Sequence, residues 1–97
     1  MEKDISADAL KRLLAADERT LLVDVRDPDE VAADKFEGAV NWPLDAVSQH
    51  LDGADPDRPI VFVCKTGKRS RQACAFARMA GFGAAASLEG GLDQWTR

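Results

Sequence analysis

The chain has 97 residues, 45% of them apolar and 31% charged, which suits one small domain over residues 1–97 and leaves no room for a second. A net charge of −4 argues against nucleic acid as a partner. No apolar run approaches the roughly 18 to 20 residues that cross a bilayer, and the opening MEKDISADAL has neither the basic nor the apolar region of a signal peptide. The expected compartment is the cytoplasm, with no membrane partner.

In chain order, Ser6 is a candidate N-cap for a helix over ADALKRLLAA, where Ala9, Leu10, Leu13 and Leu14 recur at helical spacing. TLLVDV, Thr20 to Val25, reads as a buried strand, and Asp27 with Pro28 opens a short acidic helix, DPDEVAAD. GAVNWP, Gly38 to Pro43, is a brief extended piece. Asp45 to Leu51 reads as a helix, followed by the turn-rich connector DGADPDRP. PIVFV, Pro59 to Val63, is a second buried strand. It runs into the loop CKTGKRS and then the helix SRQACAFARMAGF, where Ala73, Phe76, Ala77 and Ala80 form an apolar stripe and Gly81 and Gly83 supply the stop. A weak strand from Ala84 to Leu88, the pair Gly90 and Gly91, and a helical turn carrying Trp95 complete the chain.

Buried strands joined by helices predict an α/β fold with a parallel sheet covered on both faces, where ligands bind beyond the carboxyl ends of the strands. Cys64 falls at such an end. The charge distribution points to the same place. From Arg58 to Leu88 there are six cations, Arg58, Lys65, Lys68, Arg69, Arg71 and Arg78, and no Asp or Glu. A solvated basic helix face would account for some of them, yet three stand within five residues of Cys64, as around a small-anion site.

A free thiol with a pKa of about 8.5 is only about 3% thiolate at pH 7, and the thiolate is the nucleophile. The following helix directs its positive end at the loop, an effect of roughly 0.3 to 1 kcal/mol, or about 2 when partly buried. That is insufficient alone. Backbone N–H groups forming an anion cradle, for which Gly67 gives the φ freedom, and the charges of Lys65, Lys68 and Arg69 are expected to add the remainder. Tyrosine-phosphatase loops follow Cys-x5-Arg, the arginine clamping phosphate. Here Ser70 occupies the clamp position, so the loop is one residue short and favours a single transferred sulfur, although Arg71 leaves another alignment open.

The sequence resembles a rhodanese-homology domain, a single-domain sulfurtransferase module. The resemblance runs through LLVDVRDPDE, GAVNWPL, the CKTGKRS active loop, AGF and LEGGLDQW. Within the family, the CKTG loop followed by Arg-Ser is similar to rhodanese domains fused behind adenylyltransferases that act on ubiquitin-like sulfur carrier proteins. In DKFEGA, Lys35 and Glu37 replace the histidine and the proline that many members carry, a surface variation. The resemblance implies a small parallel sheet of about five strands with helices on both faces. It also implies Cys64 as nucleophile, taking sulfane sulfur from thiosulfate or a protein persulfide, holding it as Cys64 persulfide, and passing it to cyanide in vitro or to a thiol or sulfur carrier protein. No other cofactor is implied. Backbone amides of Lys65 to Arg69 would hold the persulfide anion. Arg69 with Lys65 or Lys68 would meet a sulfonate or an acidic partner, and Ser70 and Thr66 would cap the helix or bond to sulfur. The expected state is a monomer. A non-catalytic interaction module and a phosphatase or arsenate-reductase relative are the alternatives.

The remaining residues draw structural expectations. Cys74 is a small core residue rather than a resolving thiol. No zinc-type spacing links the two cysteines with the single histidine, His50, so no metal is expected, and His50 is an exposed helix residue. Arg26 is expected to pair with Glu30 and lock its loop. Trp42 and Trp95 fill core or rim space.

Overall fold

The computed structural model describes residues 3–95. Its elements are β1 (Asp4–Ile5), α1 (Ala7–Ala16), β2 (Leu21–Asp24), α2 (Pro28–Ala33), β3 (Val40–Asn41), a 3-10 turn (Leu44–Ala46), α3 (Val47–Leu51), β4 (Ile60–Val63), α4 (Lys68–Met79), β5 (Ala85–Leu88) and α5 (Gly91–Gln94). All five strands run parallel in the order β1-β5-β4-β2-β3. β1 is the element that the sequence pattern did not announce. It has only two residues, too few for a period, and it exists because β5 offers it an edge, pairing Asp4 with Ser87 and Ile5 with Leu88.

Strand alternation divides the core between the two faces of the sheet. Val23, Val25, Ile60, Phe62, Cys64 and Ala85 face α3 and α4, where they meet Val47, Leu51, Ala73, Cys74 and Ala77. Leu22, Val61, Val63, Ala86 and Leu88 face the other way, onto Leu10 of α1, Phe36 and Leu92 of α5. Every residue of β4 and β5 is buried, which is why these strands read as continuous apolar runs. Cys64 continues the β4 alternation onto the α4 face and therefore sits under the start of that helix.

The caps explain the helix limits. Ser6 accepts from the Ala9 N–H at 3.1 Å, as expected of an N-cap. Helix α4 ends in a paired motif in which the Phe82 N–H donates to the Ala77 carbonyl at 2.9 Å and the Gly81 N–H to that of Arg78 at 3.1 Å. The inward stripe of α4 differs from the expected one. Ser70, Ala73, Cys74 and Ala77 are buried, whereas Phe76 is 46% exposed and Ala80 lies in solvent. Close packing of α4 on the sheet admits only small side chains, and this turns the larger Phe76 outward.

The expected Arg26–Glu30 pair does not form. Arg26 is 3% exposed and Asp24 1%. The Arg26 Nε donates to both carboxylate oxygens at 3.0 and 3.1 Å, and its Nη2 donates to Oδ2 at 2.7 Å and to the Asp34 carbonyl at 2.6 Å. A buried guanidinium needs a carboxylate that is equally dry, and Asp24 at the end of β2 provides one. This pair pins the β2 end beside the active loop. Asn41 ties β3 to the same turn, donating to the carbonyls of Asp24 and Arg26, both at 3.0 Å.

Candidate active site

The loop after β4 curls around the Cys64 sulfur. The Gly67 N–H donates to Sγ at 3.1 Å and the Ser70 N–H at 3.4 Å, and the Ser70 hydroxyl lies 3.5 Å away. Gly67 is the N-cap of α4 at φ 99°, in the left-handed region where a side chain is strained. A Cβ there would also stand 3.3 Å from the Gly90 nitrogen. Glycine at this position is thus favoured by the left-handed turn that aims its own N–H at sulfur, and the tight approach of the next segment adds to the preference.

That next segment is the EGG stretch. The Leu92 N–H donates to the Cys64 carbonyl at 2.9 Å and the Asp93 N–H to the Lys65 carbonyl at 3.0 Å. A Cβ on Gly91 would collide with both carbonyls, so the backbone of α5 can dock there only through glycine. The sequence showed Gly90 and Gly91 only as a glycine pair before the last helical turn. Their docking on the active loop is a long-range contact that local pattern does not reveal.

Burial is the largest influence on Cys64 and pushes its thiol up. The Ser70 hydroxyl and the amides of Ser70, Gly67 and Thr66 together outweigh it and hold the thiol below its ordinary value. The sulfur side chain itself is buried, with Cys64 only 1% exposed. The arrangement favours a sulfur anion through directed dipoles at a buried position, where each is worth more than in water.

The structure brings the expected loop residues together and redistributes their tasks. Arg69 is turned away from sulfur onto α2, its Nη1 and Nη2 donating to the two Glu30 carboxylate oxygens at 2.6 and 3.0 Å. The Arg69 hydrogen bond, then the bond from the Asp27 N–H, holds Glu30 well below the usual carboxylate range, at about 2. Lys65 is exposed and donates to Asp93 at 3.1 Å. Lys68 is exposed with no carboxylate partner among the described residues. Thr66 is exposed, and Gly67 rather than Thr66 stands at the N-cap of α4. Ser70 is not a helix cap either. It lies three residues inside α4, and its hydroxyl donates to the Gly67 carbonyl at 3.1 Å and is 2.7 Å from the Ser87 hydroxyl. Glu30, Asp93 and Ser87 were not legible as site residues, since each reaches the loop from a different part of the chain.

The second thiol, Cys74, is buried in α4 as expected of a core residue, and burial pushes its pKa up. His50 is exposed and stacks on Trp42 with centroids 4.6 Å apart, while Trp95 packs on Phe36. Among the described residues no group of three or more His, Cys, Asp or Glu side chains is placed to hold a metal ion, and no helix is long and apolar enough to cross a membrane.

A five-stranded parallel sheet with helices around it and a cysteine loop at a strand's carboxyl end defines an α/β protein. The chain belongs to the rhodanese-like domain family, whose model matches residues 6–97. It is 35% identical over its whole length to a sulfurtransferase of Allochromatium vinosum, covering 91% of that protein. It is also 35% identical to a thiosulfate sulfurtransferase of Pseudomonas fluorescens, the match taking in 77% of this chain and 69% of that one. Among solved structures it is similar to a human single-domain sulfurtransferase at a TM-score of 0.85 and 31% identity, covering 98% of this chain and 96% of the other.

Proposed function

We propose that the protein is a sulfurtransferase that carries sulfane sulfur on Cys64. The observation that supports this most is the sulfur cradle: two N–H donors within 3.4 Å of Sγ and a hydroxyl beyond them. A thiolate already formed needs no base. The Cys64 thiolate attacks the outer sulfur of thiosulfate, the sulfur–sulfur bond to the sulfonate breaks, and sulfite leaves with its electron pair. A protein persulfide delivers its terminal sulfur in the same way, its thiolate leaving. An acceptor nucleophile then attacks the terminal sulfur of Cys64 persulfide and regenerates the thiolate. Cyanide serves in vitro, and a thiol or a sulfur carrier protein is the proposed physiological acceptor.

Substrate contacts follow from which groups are free. Arg69 is engaged by Glu30, so Lys68, exposed and without a carboxylate partner among the described residues, is the cation we assign to an anionic donor, with Lys65 assisting through an exposed and weak pair. The stretch from Arg58 to Leu88 without an acid suits an acidic protein surface, such as a sulfur carrier or its adenylyltransferase. Two free cysteines suit a reducing compartment of the cytoplasmic kind. The phosphatase alternative is disfavoured by the short loop and by the capture of Arg69 by Glu30, and the non-catalytic module by the retained thiol and its lowered pKa.

The test is thiocyanate formation from thiosulfate and cyanide by the wild type and by Cys64→Ser. Turnover that disappears in the variant supports the assignment. Equal rates in both would refute it.

A further inference from the structure

Beneath the loop lies a polar residue that the chemistry above does not use. Ser87 sits on β5, fully buried, with its hydroxyl 2.7 Å from that of Ser70. A buried hydroxyl is costly unless bonded, and among the described residues Ser70 is its hydrogen-bond partner. Ser70 in turn stands between three groups: Ser87 at 2.7 Å, the Gly67 carbonyl at 3.1 Å and the Cys64 sulfur at 3.5 Å. A serine hydroxyl has one proton and two lone pairs, so it cannot donate to all three.

The protonation of Cys64 decides between them. With a neutral thiol, the S–H donates to Ser70, and Ser70 donates to the Gly67 carbonyl. With an anion on sulfur, the sulfur needs donors and the Ser70 proton turns towards it. The Gly67 carbonyl is not orphaned by this, because it also accepts the Arg71 N–H at 3.1 Å. The turn leaves the Ser70 lone pairs facing Ser87, and the Ser87 hydroxyl donates into them.

We propose that Ser87 is a positioning residue for sulfur transfer: its buried hydroxyl donates to Ser70 and holds the Ser70 proton on the Cys64 sulfur whenever that sulfur is a thiolate. The proposal rests on the sulfur-transfer reading, since the thiolate is the species that begins and ends each cycle. No proton is exchanged between the serines. Each hydroxyl rotates and keeps its own hydrogen, and the thiol proton leaves to solvent. Aligned donors polarise one another, so the outer hydroxyl strengthens the inner bond.

The charged groups around the loop are Arg69 of α4 with Glu30 of α2, Lys65 with Asp93 of α5, Lys68 at the α4 start, and Asp24 with Arg26 at the β2 end. Substituting Ser87 changes none of them. The experiment is a pH titration of Cys64 thiolate by ultraviolet absorbance, with Cys64→Ser as the blank and no sulfur donor present. Ser87→Ala is expected to raise the midpoint by about half a pH unit, and Ser87→Thr, which keeps a hydroxyl, to restore it. In a Ser70→Ala background, Ser87→Ala is expected to move nothing further. An unmoved midpoint in Ser87→Ala, or the same shift with Ser70 absent, would overturn the proposal. If circular dichroism shows that Ser87→Ala does not fold, Ser87→Cys, a weaker donor, read against a Cys64→Ser/Ser87→Cys blank, is expected to give a smaller rise, and an unmoved midpoint there overturns it equally. Because the titration needs no turnover, a normal Ser87 shift in a protein that transfers no sulfur refutes the proposed activity and leaves the link between the serines standing.

Discussion

The two cysteines of this chain stand ten residues apart, and both are buried, Cys64 at 1% exposure and Cys74 at 3%. Burial pushes each thiol up, yet Cys64 ends below its ordinary value and Cys74 above. The difference is what faces the sulfur. Cys64 receives two backbone N–H groups and the neighbourhood of a hydroxyl. Cys74 lies near the Lys3 carbonyl at 3.8 Å, an acceptor that can bond a thiol but not a thiolate. Arg78 acts to lower Cys74, but less than burial raises it. The opposite directions of the two shifts follow the dipoles that face each sulfur rather than its exposure.

The most severe way to break the contrast is to remove the reacting sulfur. Cys64→Ser is expected to lower thiosulfate-to-cyanide transfer by at least about 1000-fold, whereas Cys74→Ala leaves the rate within about twofold. Steady-state thiocyanate assays compare them. Next comes Ser70→Ala. A hydrogen bond to a charged group is worth about 1.5 to 3 kcal/mol, equivalent to about 1 to 2 pH units, so the Cys64 alkylation midpoint should rise by that amount. Gly67→Ala should cost roughly 1 to 2 kcal/mol for the left-handed backbone, seen as a lower midpoint in urea denaturation. Lys68→Ala is expected to raise KM for thiosulfate by about twofold to fivefold with kcat nearly unchanged. The smallest expected effect is on stability in Cys74→Ala, a loss of about 1 kcal/mol with Cys64 titrating as before.

The two thiols also differ in their response to pH. The Cys64 pKa is lowered on folding, so its thiolate contributes stability that is fully present above the unfolded thiol's pKa and is lost as pH falls through the lower, folded one. Transfer should fall over that lower range. The Glu30 carboxylate is also lowered, to about 2. Its contribution is complete above the ordinary carboxylate pKa and disappears only as pH falls through about 2. An acid limb of activity at milder pH therefore reports Cys64, and Glu30→Gln should leave its position nearly unchanged. Cys74, raised by burial, should alkylate only in more alkaline solution than a free thiol.

Much of this was legible in the sequence because it is local. PIVFV and TLLVDV are apolar runs that only a sheet covered on both faces can bury, and CKTGKRS sits directly after one of them. The strand-loop-helix succession places Cys64 under the start of α4 without further information. What escaped is non-local. β1 needs β5 to exist. Arg69 and Glu30 are 39 residues apart, and the acidic helix DPDEVAAD gives no sign that one of its carboxylates crosses to the active loop. Arg26 is expected to pair with Glu30 within the loop DVRDPDE, but burial of the guanidinium decided for Asp24. Ser87 sits in a weak strand where a hydroxyl reads as an interruption of the apolar pattern, and only its meeting with Ser70 gives it a use.

Sulfur transfer by this loop requires that Cys64 carry the sulfur. Intact mass after incubation with thiosulfate, for the wild type, Cys64→Ser and Cys74→Ala, with and without a reductant, tests this. A gain of about 32 Da in the wild type and Cys74→Ala, absent in Cys64→Ser and reversed by reduction, is the predicted result. No gain in any of them, with thiosulfate or with a persulfidated protein donor, would contradict it.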